Sequence, residues 1–96
     1  GHTTAGIHLN NNEPELAMDF HNLLNKLIPN KQSFIHNKGD YGKNADAHIK
    51  SVLVGSSITI PVSNNKLQLG QWQAIYISEF DGPRNRIITI RIIGNR

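Results

Sequence analysis

Residues 2–30, HTTAGIHLNNNEPELAMDFHNLLNKLIPN, contain two different hydrophobic repeats, and this change of repeat decides the fold class. The first eight residues alternate, which predicts a strand with an apolar and a polar face. The predicted apolar face carries Thr3, Ala5, Ile7 and Leu9, and the polar face carries His2, Thr4, Gly6 and His8. Farther along, apolar residues recur at helical spacing, namely Leu16, Phe20, Leu23, Leu24 and Leu27. Pro14 suits a first helical turn and Pro29 ends the helix, so a strand is followed by a helix.

The rest of the chain predicts one more helix and a run of strands. A polar loop over 30–43 precedes a helix over Ala45–Val54, with Asn44 as its N-cap and Gly55 as its stop signal. Strands are predicted over 56–62, 66–69, 71–80 and 85–94, with turns at 63–65 and 81–84. Because segments adjacent in sequence usually pair, an antiparallel meander is the economical topology. The predicted fold class is therefore α+β, a mostly antiparallel sheet with two helices.

The composition limits the classes of protein and of site. A chain of 96 residues fits a single domain over residues 1–96. The chain has no cysteine, so a metal would need imidazole or oxygen ligands. Its net charge of +3 comes from scattered basic residues, which argues against a nucleic-acid-binding surface. Neither a membrane-spanning apolar run nor a signal peptide is visible, so the sequence predicts a cytoplasmic protein without a membrane partner.

Five histidines are the unusual feature of so short a chain. His2, His36 and His48 lie on three different predicted elements, and their spacing matches no standard zinc motif. A catalytic zinc typically has three protein ligands and a water. Two interpretations stay open: a histidine metal site, or solvated histidines on a loop and a helix surface. Asp46 lies about 160° from His48 around the predicted helix, so we expect it to have a different partner.

The predicted strand over 71–80 carries polar residues on an otherwise apolar face. Alternation places Gln73 and Glu79 on the same side as Ile75 and Ile77. A polar side chain on an apolar strand face must be paired, or it marks a site or a subunit interface. A half-exposed strand with polar ends is the equally weighted alternative.

Three segments are together more specific than any one of them: HTTA at 2–5, NADAHIK at 44–50 and LGQWQAIYISE at 69–79. The chain therefore resembles the YjbQ family over nearly its whole length. The resemblance implies a compact α+β sandwich that assembles as a homotrimer, with a polar pocket where subunits meet. It implies a divalent metal, zinc or magnesium, held by His2, His36 and His48. It also implies cofactor-binding residues Asn44 and Gln73, and catalytic residues His48, Lys50, Glu79 and Arg84.

The activity implied by the resemblance is that of a secondary thiamine-phosphate synthase. Such a transferase takes phosphorylated small-molecule substrates: it couples an aminopyrimidine diphosphate to a thiazole phosphate and releases diphosphate. Lys50 and Arg84 would stabilise that leaving group. The alternatives are a non-catalytic trimer that binds a metal or small ligand in its histidine pocket, and a structural oligomer without a site. The strand-rich segment that precedes HTTA in the family does not occur in this sequence, so we expect a shortened domain.

Overall fold

The computed structural model describes residues 2–94 and shows an α+β fold with antiparallel strand pairing, which confirms the predicted class. Within that range three helices, α1 to α3, span Pro14–Leu27, Ile35–Lys38 and Ala45–Val54. Four strands of the same range, β1 to β4, span Ala5–Asn11, Val62–Ser63, Lys66–Leu67 and Gln73–Glu79. The predicted domain of residues 1–96 also includes Gly1, Asn95 and Arg96, which lie outside the described residues. No helix in the described part is both long enough and apolar enough to cross a bilayer.

The main sheet joins β1 to β4, the first strand to the last. The two strands are antiparallel from Ala5 opposite Glu79 to Asn11 opposite Gln73. The predicted meander of sequence neighbours is therefore wrong, because β4 pairs with a strand from the other end of the chain. β2 and β3 form a separate hairpin. The φ angles of its turn residues, 53° and 62°, suit a two-residue type I′ turn, so the turn predicted at 63–65 is confirmed.

Both long helices form where the sequence predicted them. Pro14 lies in the first turn of α1, where its missing N–H group costs no hydrogen bond. Gly55 ends α3 with a φ of 97°, which residues with a Cβ atom rarely adopt. α2 is a single turn within the segment predicted to be a loop. Four residues are too few to show a helical repeat, so the sequence held no signal for it.

α3 lies close against β1, and this contact positions the site. The Ser51 hydroxyl donates a 2.6 Å hydrogen bond to the Ala5 carbonyl. A Cβ atom built on Gly6 would lie 2.7 Å from Cγ1 of Val54, so only glycine allows this approach. The buried side chains at the junction are small or polar, among them Ala47, which is fully buried. The core is therefore narrow, and helix and strand nearly touch backbone to backbone.

The helices cover the sheet face that the sequence analysis described as polar. Gly6 lies against α3, and the His8 ring contacts the Phe20 ring of α1 at a centroid distance of 4.8 Å. The opposite face, with Ile75 and Ile77, stays 40% and 51% exposed. The helices thus pack on the polar face of β1, because a glycine and a stacked imidazole accept a close helix better than branched side chains do.

The segment after β4 does not form the predicted strand over 85–94. The Arg86 guanidinium bonds to the Thr4 hydroxyl at 2.8 Å, and the Ile87 N–H donates to Nε2 of His2 at 3.0 Å. These contacts carry the chain towards the start of β1 and away from the free edge of β4. Strand propensity alone does not make a strand, because the backbone needs a partner to pair with. The strand predicted over 56–62 is likewise reduced to Val62, the first residue of β2.

Candidate functional site

Two of the predicted metal ligands lie in contact. α2 carries His36 and α3 carries His48, and their rings meet edge to face with centroids 4.9 Å apart. Both side chains are half-buried. His36 is therefore not a fully solvated loop residue, because it lies on a short helix against a second imidazole. Its predicted role as a metal ligand stays a prediction.

The third predicted ligand, His2, lines the same open cavity as His48. The cavity has a volume of about 410 Å³. Its walls are His2, Thr3, His48, Ser51, Val52, Gly55 and Ser56. His48 therefore contacts the ring of His36 and shares a cavity with His2. Within residues 2–94, however, no three histidine, aspartate or glutamate side chains are grouped closely enough to hold one metal ion.

A hydrogen-bonded relay from Asp81 determines the orientation of the His36 ring. An ionised carboxylate only accepts hydrogen bonds, so the amide nitrogen of Asn44 must face Asp81, where Nδ2 and Oδ2 are 2.6 Å apart. The amide oxygen of Asn44 then faces Nε2 of His36 at 2.8 Å and accepts a hydrogen bond from it. Nε2 of the neutral ring therefore carries the hydrogen, which leaves Nδ1 as the basic nitrogen.

Asp81 stays ionised because its neighbours favour the negative charge. The hydrogen bond from Asn44 lowers the pKa of Asp81, against an opposing effect of burial, and the Arg84 guanidinium at 2.7 Å lowers the pKa further. Arg84, a predicted catalytic residue, thus joins the relay through Asp81, and its side chain is 55% exposed. The sequence analysis missed Asp81 because it took residues 81–84 only as a turn, and an acid before Gly82 and Pro83 is ordinary turn composition.

Asn44 is at the predicted N-cap position of α3, but its side chain makes no capping hydrogen bond. The relay uses both ends of its amide. Asn37 supplies the cap instead: its Oδ1 accepts a 3.0 Å hydrogen bond from the Ala45 N–H. Asn37 is 4% exposed, and its amide nitrogen bonds to Asn30 and to the Lys31 carbonyl. The predicted capping role is therefore corrected, since a buried side chain from α2 replaces the local one.

Lys50, another predicted catalytic residue, has partners inside the chain. Its Nζ lies 2.7 Å from Oδ1 of Asn25 and 2.9 Å from Oδ2 of Asp46, and the residue is 4% exposed. Asp46 therefore pairs with Lys50 and not with His48, as we expected from their positions around the helix. Lys50 links α3 to α1, and its ammonium group faces protein partners.

Glu79 and Gln73 lie at opposite ends of β4. The Arg86 guanidinium contacts both carboxylate oxygens of Glu79 at 2.6 Å, and this hydrogen bonding lowers the pKa of Glu79 to about 2. The Asp81 N–H also donates to Glu79, which connects it to the relay. Gln73 is six residues away, about 20 Å along a strand, where it accepts a hydrogen bond from the Gly70 N–H. The structure therefore brings Glu79 close to the site and leaves Gln73 apart from it.

His8 forms a separate cluster beneath α1. Its ring stacks on Tyr76 at 5.5 Å and contacts Phe20, and its buried Nδ1 has no hydrogen-bond partner among the described residues. His21 lines the same small cavity. Burial lowers the pKa of His8, because the charged ring loses hydration.

We expect His8 to make the protein less stable in mild acid. The unfolded chain binds a proton near pH 6.5, whereas the folded chain resists it, so stability declines as the pH falls below about 6.5. Urea midpoints measured from about pH 7.5 down to about pH 5.5 test this expectation. His8→Phe keeps an aromatic ring and should reduce the decline; His21→Phe, at an exposed position, should not. Equal decline in the wild type and His8→Phe would contradict the assignment.

Comparison with known proteins gives one consistent family. A family model described as "UPF0047 protein YjbQ-like" matches residues 1–95. A UPF0047 protein of Methanocaldococcus jannaschii is 49% identical over 99% of this chain and 67% of its own length. The UPF0047 protein YugU of Bacillus subtilis is 41% identical, over 97% of this chain and 69% of its own length.

Solved structures agree with this result. A YjbQ/UPF0047 family protein of Clostridium acetobutylicum superposes with a TM-score of 0.80 at 46% identity, covering 88% of this chain and 64% of that one. A Sulfolobus solfataricus protein gives the same TM-score at 36% identity, with 88% and 59% covered. The chain thus spans about two thirds of the length of these relatives.

The names of the relatives correct the predicted activity. The relatives carry only the UPF0047 or YjbQ name, and the Sulfolobus protein is described as "a YbjQ-like protein of unknown function". The predicted thiamine-phosphate synthase activity, and the transferase class with it, is therefore wrong as a function carried over from the family. The site must be interpreted from its own geometry.

Proposed function

This chain belongs to the YjbQ-like UPF0047 family, and we propose that it binds a divalent transition metal through His36 and His48. The observation that supports the proposal is the relay from Asp81 through Asn44 to Nε2 of His36. Metal-ligating histidines usually donate their second ring N–H to a carboxylate, carbonyl or water, which fixes the tautomer and makes the other nitrogen more basic. The relay fixes the His36 tautomer in this way and leaves the lone pair of the neutral ring on Nδ1.

The donor set favours one class of metal. Imidazole suits zinc, copper, iron and nickel, whereas magnesium prefers carboxylate, carbonyl and water oxygens. Of the predicted metals, zinc therefore fits these residues better than magnesium. Two imidazoles fall one short of the three protein ligands of a typical catalytic zinc site. His2, which lines the same cavity as His48, is the proposed third ligand, and reaching the ion requires its ring to leave the Ile87 N–H.

The surroundings of the site support a position between protomers. Val52 lines the same cavity and is 82% exposed, and Ile35, directly before His36, is 88% exposed. Apolar side chains this exposed beside a polar site are typical of an interaction surface. We propose that a homotrimer covers them and completes the metal coordination. Arg84, which reaches outward from the relay, is the proposed contact for an anionic small ligand of the bound ion.

Titration of the metal-free protein with Co²⁺ and Zn²⁺ tests the proposal. We expect one ion per chain, a tetrahedral Co²⁺ spectrum, and a loss of affinity of about a hundredfold or more in His36→Ala and in His48→Ala. His21→Ala, an exposed histidine on α1, is the matched control and should bind as the wild type does. Unchanged affinity in both site variants would refute the metal site, and a loss in His2→Ala would identify the third ligand.

A further inference from the structure

The ion pair of Glu79 and Arg86 is held firmly by several contacts. The Arg86 guanidinium contacts both carboxylate oxygens of Glu79 at 2.6 Å, and its Nη2 also donates to the Thr4 hydroxyl at 2.8 Å. The side chains of Arg86 and Glu79 are 15% and 33% exposed, and Thr4 is buried. A two-point contact with this little exposure fixes both groups more firmly than an ordinary surface ion pair does. The pair can therefore position the residues bonded to it.

Glu79 is connected to His36 through Asp81. The Asp81 N–H donates a 2.8 Å hydrogen bond to the Glu79 carboxylate. Gly82 leaves room for this contact, since a Cβ atom built on it would lie 2.5 Å from Cγ of Glu79. Glu79 thus holds the backbone of Asp81, and the side chain of Asp81 begins the relay that ends at Nε2 of His36.

Arg86 is connected to His2 through the next residue of the chain. The N–H of Ile87 donates a 3.0 Å hydrogen bond to Nε2 of His2. In a neutral imidazole, a nitrogen that accepts a hydrogen bond carries no hydrogen of its own. The neutral His2 ring therefore has its hydrogen on Nδ1 and its lone pair on Nε2. His36 has the opposite tautomer, with its hydrogen on Nε2.

We propose that Glu79 and Arg86 are positioning residues that set opposite tautomers in His36 and His2. Each acts through a neighbour, Glu79 through the Asp81 N–H and Arg86 through the Ile87 N–H. Because Arg86 is itself anchored on the Glu79 carboxylate, Glu79 controls both rings and Arg86 controls only one.

The tautomers determine which nitrogens are available to a metal ion, and this part of the inference rests on the proposed function. An imidazole binds a metal through the nitrogen that carries no hydrogen, and the hydrogen bond at the other nitrogen sets which one that is. The ion would bind Nδ1 of His36, and at His2 it would replace the Ile87 N–H on Nε2.

Nitrogen-15 spectra of the histidine rings in the metal-free protein test the proposal. We choose about pH 8.5, where an ordinary imidazole is neutral. In the wild type we expect His36 with its hydrogen on Nε2 and His2 with its hydrogen on Nδ1. Arg86→Met should give mixed tautomers in His2 alone, because Glu79 can still accept the hydrogen bond from the Asp81 N–H.

Two further variants complete the pattern. Asn44→Ala interrupts the relay and should give mixed tautomers in His36 alone. Glu79→Ala removes the carboxylate that both paths share and should give mixed tautomers in both rings. The matched controls are Glu15→Ala and Arg91→Met, at exposed positions, and both should leave the two rings as in the wild type.

A circular dichroism spectrum checks that each variant is folded, and Arg86→Met decides by itself if Glu79→Ala does not fold. An unchanged His2 ring in Arg86→Met would overturn the proposal. The same change in both rings of Arg86→Met would overturn it as well, because it would show a general loss of structure. Co²⁺ titration of the wild type is a separate measurement: the absence of binding would refute the metal site and leave the tautomer pattern to decide on Glu79 and Arg86.

Discussion

Replacing Lys50 with methionine is expected to lower the free energy of unfolding by about 3 kcal/mol, because it leaves Asp46 without its cationic partner inside the protein. The side chains of Lys50 and Asp46 are only 5% and 16% exposed, so water replaces the lost contact poorly. Asn25 on α1 would lose its 2.7 Å hydrogen bond as well. A domain of this length has a total stability of roughly 5–15 kcal/mol, so this is a large fraction of it.

Thermal or urea unfolding measures the effect of Lys50→Met. Lys66→Met is the matched control, since Lys66 is exposed in the β2–β3 hairpin and should change stability by less than about 0.5 kcal/mol. The double variant Lys50→Met with Asp46→Leu removes both charges and should recover part of the loss, because paired charges replaced together often cost little. If Lys50→Met and Lys66→Met had the same free energy of unfolding, the contacts of Lys50 between α1 and α3 would not contribute to stability.

Replacing Asn44 with alanine is expected to release the tautomer of His36 and to reduce metal affinity by about ten- to a hundredfold. In the wild type the Asn44 amide oxygen holds the proton on Nε2 of His36. Nitrogen-15 spectra of the histidine rings report the tautomer directly and require no metal. We expect a protonated Nε2 in the wild type and a mixture of the two tautomers in Asn44→Ala.

Asp81→Asn is the more stringent variant for the same relay. The asparagine side chain has the same size but can both donate and accept hydrogen bonds, so either end of the Asn44 amide can face it. The His36 tautomer should therefore again become mixed. Asn22→Ala, an exposed residue of α1, is the control and should leave the His36 spectrum unchanged. A His36 ring that keeps the Nε2–H form in both Asn44→Ala and Asp81→Asn would show that the relay does not orient it.

Several features of the fold could be predicted because their signals are local. The bounds of α3, Ala45–Val54, follow from an apolar stripe that Gly55 brings to an end. The turn at Asn64 and Asn65 follows from the tolerance of asparagine for left-handed backbone. The segment 85–94 shows the limit of such signals. It has the composition of a strand, yet it pairs with no strand among the described residues, and composition alone supplies no neighbouring strand.

In the candidate site, too, local signals could be predicted from the sequence and contacts between distant residues could not. The three histidines stood out by their number in a short chain, and the contact between His36 and His48 gives that prediction a geometric basis. The N-cap role predicted for Asn44 is wrong, since its side chain serves the relay and leaves the cap to Asn37. Asp81 passed unnoticed, because nothing in its immediate surroundings reveals a partner 37 residues earlier.

The sequence by itself determined the family, the α+β class, the two long helices and the residue types that carry the chemistry. These depend on hydrophobic repeats, on turn residues and on motifs, all of which are set by near neighbours along the chain. Only the tertiary structure decided which nitrogen of His36 is basic, which face of β1 the helices cover, and which cation Asp46 and Glu79 hold. The geometry of hydrogen bonds and close packing between distant residues settles those questions, and one-dimensional spacing does not encode it.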